Sequence, residues 1–195
     1  MNSRDKQAAN TKSAILRVAA KDFLSQGYQA TSTRKIAQEL NITQPNMYHY
    51  YKNKKVLYVK AIEHEVGGFS EKLYEEYNRN KDLPFDEMLT TISTFMVENF
   101  KLNFFMLRHD LDTVFTDDEK KEISKNWDGG YYKVLFNIFQ AHKDELRSDL
   151  SIPVQVGTFL TMLVPYIEYS EARRKRNIAN LNTMIKIFIH GIKKE

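Results

Sequence analysis

"STRKIAQELNITQPNMYHYYKNK", residues 32–54, decides how the chain is read. Its apolar residues fall at Ile36, Leu40, Ile42 and Met47, with the small Ala37 among them. That spacing predicts two short helices, over 33–40 and 44–50, crossing at a steep angle. Ala37 lets the two backbones approach. Four residues later the turn needs left-handed φ, which Asn41 tolerates better than most residues. Thr43 is placed to cap the second helix, and Pro45 falls in its first turn, where an amide has no intrahelical partner to lose. Each local choice is consistent with a helix-turn-helix.

In such a motif the second helix enters the major groove of duplex DNA and its first side chains reach base edges. Gln44 can pair bidentately with adenine, and Asn46 offers the same amide chemistry nearby. Tyr48, His49 and Tyr50 can pack on sugars or thymine methyls and hydrogen-bond phosphates, and Thr33 stands where a helix start would meet a phosphate. Lys52, Lys54 and Lys55 add backbone charge at the exit, and the cap Thr43 completes the DNA-facing set. The alternative is a surface αα-hairpin; spacing, caps and charge coincide on the DNA-binding reading.

Charge outside the motif agrees. Residues 1–65 hold eleven Lys/Arg against five Asp/Glu, and the remainder holds eighteen against twenty, so the N-terminal third is the part expected to meet a polyanion. A chain of 195 residues, 42% hydrophobic, can pack a large core, and 7 Gly with 4 Pro favour helices. The absence of cysteine excludes disulfides and thiolate chemistry. The polar start "MNSRDKQAANTK" is unlike a secretory signal, and the apolar run 157–167 is too short to span a bilayer. A cytoplasmic protein without a membrane partner is expected.

Helical periodicity continues along the chain. It predicts a helix over 11–26 stopped by Gly27, a long helix after the cap Asn53, and helices near 85–101 and 103–113. Thr116 with Glu119 makes a capping box for the next helix. That helix is expected to run unbroken across Gly129-Gly130, because Ile123, Trp127, Tyr131 and Val134 keep phase. Two last helices, 153–173 and 178–193, are separated by the basic run Arg173–Arg176. The fold class is all-α, with about nine helices in total.

The stretch from the first helix through "TSTRKIAQELNITQPNMYHYYKNKKVLYVKAI", about residues 11–62, resembles the DNA-binding domain of the TetR family of transcriptional regulators. The resemblance implies a homodimeric all-α protein whose C-terminal domain binds a small molecule that loosens operator binding. It implies base contacts from Arg34, Gln44, Pro45 and Asn46, and phosphate contacts from Thr33, Tyr48, Tyr50 and Lys54. Asn41 departs from the commoner turn glycine, and His49 stands where an aromatic is frequent. The expected division is a DNA-binding domain over 1–53 and an effector-binding and dimerisation domain over 54–195.

The last two helices carry apolar stripes suited to a four-helix dimer interface: Val156, Leu160, Leu163 and Ile167 on one, Ile178, Leu181, Ile185, Phe188 and Ile192 on the other. Intramolecular core is the alternative use of the same residues. Phe95, Phe100, Phe104, Tyr131, Phe136 and Phe139, with Phe159, Met162 and Tyr166 on a second stripe, could line an apolar effector pocket or serve as ordinary core. No HExxH and no Glu three residues before a His are present, and His109 with Asp110 and Asp112 reads as a polar helix end, so no metal and no cofactor are expected. No nucleophile–base pair or phosphate loop points to an enzyme. The function expected is a repressor that binds a palindromic operator as a homodimer and is released by a small apolar or aromatic effector. The alternatives are a regulator without effector, an activator, or a helical enzyme carrying a DNA-binding hairpin.

Overall fold

Caps, glycines and prolines mark several boundaries of the ten α-helices among the described residues. The computed structural model describes residues 3–100, 103–126, 129–167 and 171–193. They are all-α apart from two 3-10 turns and one isolated antiparallel bridge, Leu146 to Lys193. The chain packs as two units, Met1–Gly67 with Phe105–Trp127, and Gly68–Phe104 with Asp128–Glu195.

The first unit holds α1 (Ser3–Ala30), α2 (Thr33–Glu39), α3 (Gln44–Tyr50), the start of α4 (Lys54–Arg79), most of α6 (Phe104–Val114), and α7 (Asp117–Asn126). The side chains of Ile15, Ala19, Phe23, Ile36, Met47, Leu57 and Ala61 are buried, the inward set that the periodicity demands. Asn41 has φ 53 as the tight turn requires, and Ala37 is buried, with its carbonyl accepting from the Ile42 amide at 3.0 Å. Thr43 Oγ1 accepts from the Asn46 amide at 3.2 Å, and Asn53 Oδ1 accepts from the Val56 amide at 2.9 Å, so both predicted caps form. The Thr116–Glu119 capping box is closed in both directions, at 2.9 and 3.3 Å. The first helix starts earlier than its apolar pattern, because the polar residues before Thr11 continue the helix as an exposed extension. Gly27 interrupts it, with φ 81 and ψ 172, yet one more turn follows to Ala30.

The second unit holds the end of α4, α5 (Phe85–Asn99), α8 (Gly130–Ala141), α9 (Ile152–Leu163) and α10 (Glu171–Ile192). Helix α5 packs against α10 and α8, and α9 packs against α8 and α10. Two predicted elements are corrected. The helix expected to cross Gly129-Gly130 is interrupted: Gly129 is not helical, with φ -55 and ψ 92, and α8 starts at Gly130. A Cβ on Gly130 would lie 2.6 Å from Ser70 Cβ, so this glycine admits α8 close to α4 rather than softening one long helix. The helix expected over 153–173 ends at Leu163, and Pro165 sits in a 3-10 turn, Val164–Tyr166, because its ring cannot continue the α-helical ladder. Trp127 lies outside the described residues, as do the side chains of Arg173–Arg176.

Candidate nucleic-acid interface

The side chains predicted to face DNA divide by what they already touch. Arg34, Thr43, Pro45, Asn46, His49 and Lys52 are exposed, while Met47 anchors α3 in the core from the opposite side of that helix. Thr33 instead is buried, and its hydroxyl is occupied: it accepts from Gln44 Nε2 at 2.8 Å and pairs with the Tyr48 hydroxyl at 3.0 Å. Gln44 and Tyr48 are four residues apart, so they share one face of α3, and both meet the start of α2 there. Tyr50 is half-buried, and Tyr51, which sequence reasoning left unassigned, donates its hydroxyl to the Lys12 carbonyl at 3.1 Å. Burial pushes the Tyr51 phenol up to about 12.

The lysines at the exit have separate surroundings. Lys54 Nζ lies 4.5 Å from the centroid of the Tyr28 ring and 3.4 Å from the Gln29 carbonyl, so the first turn of α4 and the last turn of α1 hold it together. Burial lowers its ammonium below the ordinary lysine value, an effect opposed by the charge of Asp110. Lys55 turns to α7, where Nζ reaches both Glu119 carboxylate oxygens at 3.0 and 3.1 Å. The Thr116 amide, followed by Lys55, holds Glu119 below the usual carboxylate range. Lys52 is thus exposed beside the motif, while Lys54 and Lys55 each have partners in this structure.

Asp110 is the functional-looking residue that sequence reasoning placed wrongly. Its neighbours His109 and Asp112 suggest a polar helix end, but Asp110 is buried in the first unit. Its Oδ2 accepts from the Tyr28 amide at 2.8 Å and from the Tyr58 hydroxyl at 3.2 Å. Burial first, then the neighbouring Asp110 charge, raises the Tyr58 phenol above its ordinary value. Nothing local in the sequence announces a bond that spans 82 positions. Among the described residues no group of three or more His, Asp or Glu could hold a metal ion.

In the second unit the residues proposed as a pocket separate into two clusters. Phe100 stacks on Phe69 with centroids 4.1 Å apart and meets Phe104 at 5.5 Å and Tyr131 at 5.8 Å, while Phe95 stacks on Phe69 at 6.1 Å. Phe139 and Phe159 lie apart from these, fully buried with Phe188 and, for Phe139, Phe85. Phe136 stacks on Tyr132, and Met162 and Tyr166 are half-buried. Two grooves among the described residues, about 640 Å³ between α5 and α10 and about 260 Å³ between α4 and α7, are lined by none of the nine.

The stripes expected to form an intermolecular seam are used inside the chain. Val156, Leu163, Ile167, Leu181, Ile185, Phe188 and Ile192 are buried, and Leu160 and Ile178 are half-buried. What α9 and α10 leave outward is different: Val154 is 52% and Ile187 63% exposed. Thr158 and Thr161 share the outer side of α9, and their hydroxyls bond back to the carbonyls of Val154 and Gly157, which leaves that face less demanding of polar partners.

Residues 15–61 match the sequence profile of the bacterial regulatory proteins of the tetR family. Over 191 residues the chain is 23% identical to the HTH-type transcriptional regulator QacR of Staphylococcus aureus, covering 95% of this chain and 100% of that one. Among solved structures it is similar to the transcriptional regulator FadR from Bacillus subtilis in complex with stearoyl-CoA, with TM-score 0.71, 16% identity, and 91% and 97% of the two chains covered. It is also similar to the reduced form of Escherichia coli NemR, with TM-score 0.72, 12% identity, and 91% and 96% covered. These structural likenesses establish the fold.

Proposed function

We propose that this chain, which belongs to the TetR family of transcriptional regulators, is a cytoplasmic repressor that grips a palindromic operator as a homodimer and lets go when a small apolar or aromatic molecule binds. One observation carries the reading: α3 presents Gln44, Pro45 and Asn46 from a turn whose Asn41 holds left-handed φ, with Lys52 and Lys54 beside it. No described helix is long and apolar enough to cross a membrane. In this reading residues 1–53 bind DNA and residues 54–195 dimerise and sense the effector.

The dimer face is the outward side of α9 and α10, around Val154, Gly157, Thr161 and Ile187. Two copies of that face would bring four helices together about a two-fold axis and set two recognition helices on two half-sites. The effector site in this reading is the cluster of Phe95, Phe100, Phe104 and Tyr131, whereas Phe139 and Phe159 belong to the buried core with Phe188. The stearoyl-CoA held by Bacillus subtilis FadR supports a ligand with an apolar body.

Duplexes selected from a randomised library by the full-length protein test the reading, with binding followed by fluorescence anisotropy over a range of salt. Gln44→Ala is expected to cost about 1–3 kcal/mol at one base pair per half-site and little elsewhere. Lys54→Ala should weaken selected and random duplexes alike and flatten the salt dependence. If the selection yields no common sequence, or if both variants change only the non-specific affinity, α3 does not read DNA.

A further inference from the structure

We infer that Thr33 is a positioning residue for sequence discrimination: its hydroxyl holds the Gln44 carboxamide in one place at the start of α3, ready to meet a base edge. The inference rests on the proposal that α3 reads DNA, and goes beyond it by assigning a role to a residue that is itself too buried to read a base. A glutamine carboxamide can rotate half a turn and exchange its oxygen and nitrogen at nearly equal cost when nothing holds it. Here one hydrogen of Gln44 Nε2 is spent on Thr33 Oγ1 at 2.8 Å. The acceptor is itself held, because Thr33 is 7% exposed at the start of α2 and shares its hydroxyl with the Tyr48 hydroxyl at 3.0 Å. In this arrangement the nitrogen faces α2, leaving the oxygen and the second amide hydrogen for the duplex. Adenine offers an acceptor at N7 and a donor at N6, and bidentate pairing requires the amide in one of its two orientations. The ordering cost of the side chain is also met before DNA arrives, which favours the correct duplex over its competitors.

The test uses the full-length protein, the duplex it selects from a randomised library, single-position variants of that duplex, and a random-sequence duplex of equal length. Gln44→Ala identifies the base pair at which its discrimination is lost. Thr33→Val keeps the shape and removes the hydroxyl; beyond any loss of affinity common to all duplexes, it should reduce discrimination at that same pair by about tenfold. Thr33→Ser should restore discrimination, and Thr33→Val combined with Gln44→Ala should discriminate no worse there than Gln44→Ala alone. Circular dichroism confirms that each variant folds, and Thr33→Ala replaces Thr33→Val if the latter does not. Thr33 is only a phosphate contact, and the inference fails, if its hydroxyl-free variant weakens every duplex equally or keeps full discrimination. If Gln44→Ala itself loses nothing at any single pair, the failure lies instead in the reading of α3.

Discussion

Asp110 shows how much one side chain can hold once it is buried. It receives two donors, the amide of the half-buried Tyr28 beside the kink in α1 and the hydroxyl of the buried Tyr58 in α4. Gly27 makes the approach possible, since its φ of 81 suits glycine and a Cβ there would lie 3.2 Å from Met106 Sδ. Asp110→Ala is expected to lower unfolding free energy by about 1–3 kcal/mol for each donor left stranded, measured by urea titration. Asp110→Asn, which keeps one carbonyl acceptor, should fall between the two. A variant as stable as the parent would mean that water replaces the carboxylate without cost. By contrast Asn41 was readable from the sequence alone, because the demand for left-handed φ is local to its own turn.

At the scale of elements, the helices with strong local punctuation were predicted well and those whose ends depend on neighbours were not. The Asn53 and Thr116–Glu119 caps act within one turn, so sequence suffices for them. Gly130 looked like a flaw inside a helix, and only the closeness of Ser70 reveals it as a contact between α8 and α4. The pair Gly67-Gly68 in α4 is the reverse case: both are exposed, and a Cβ on either would meet nothing within 4 Å. Each of Gly67→Ala and Gly68→Ala should therefore raise stability by about 0.5–1 kcal/mol through helix propensity alone, read as a higher urea midpoint at unchanged slope. The boundary between the two packed units falls between these glycines, so operator affinity and effector response should be measured on the same variants.

For the whole molecule, the decisive question is which apolar residues belong to one chain and which to two. Ile185 is 1% exposed within a single chain, whereas Ile187, two positions on, is 63% exposed. A carboxylate at 185 would be buried without a partner, and Ile185→Glu should unfold the second unit or lower its melting temperature steeply. Ile187→Glu should keep helix content and melting temperature close to the parent's, yet sediment as a monomer and lose tight operator binding, because one recognition helix holds only one half-site. A dimer of Ile187→Glu at micromolar concentration would place the interface elsewhere.

Sequence by itself determined the class of fold and the helix-turn-helix with its caps and left-handed asparagine, and it named Pro45, Asn46 and His49, which α3 exposes. Those features rest on periodicity and on interactions within a few residues, which a linear reading contains. Tertiary structure alone decided that Thr33 holds Gln44, that Lys55 is committed to Glu119, that Asp110 turns inward, and that the stripe through Ile185 is core. Each of these depends on which distant surface arrives opposite a residue, and an apolar stripe looks the same in sequence whether its partner is in its own chain or in another.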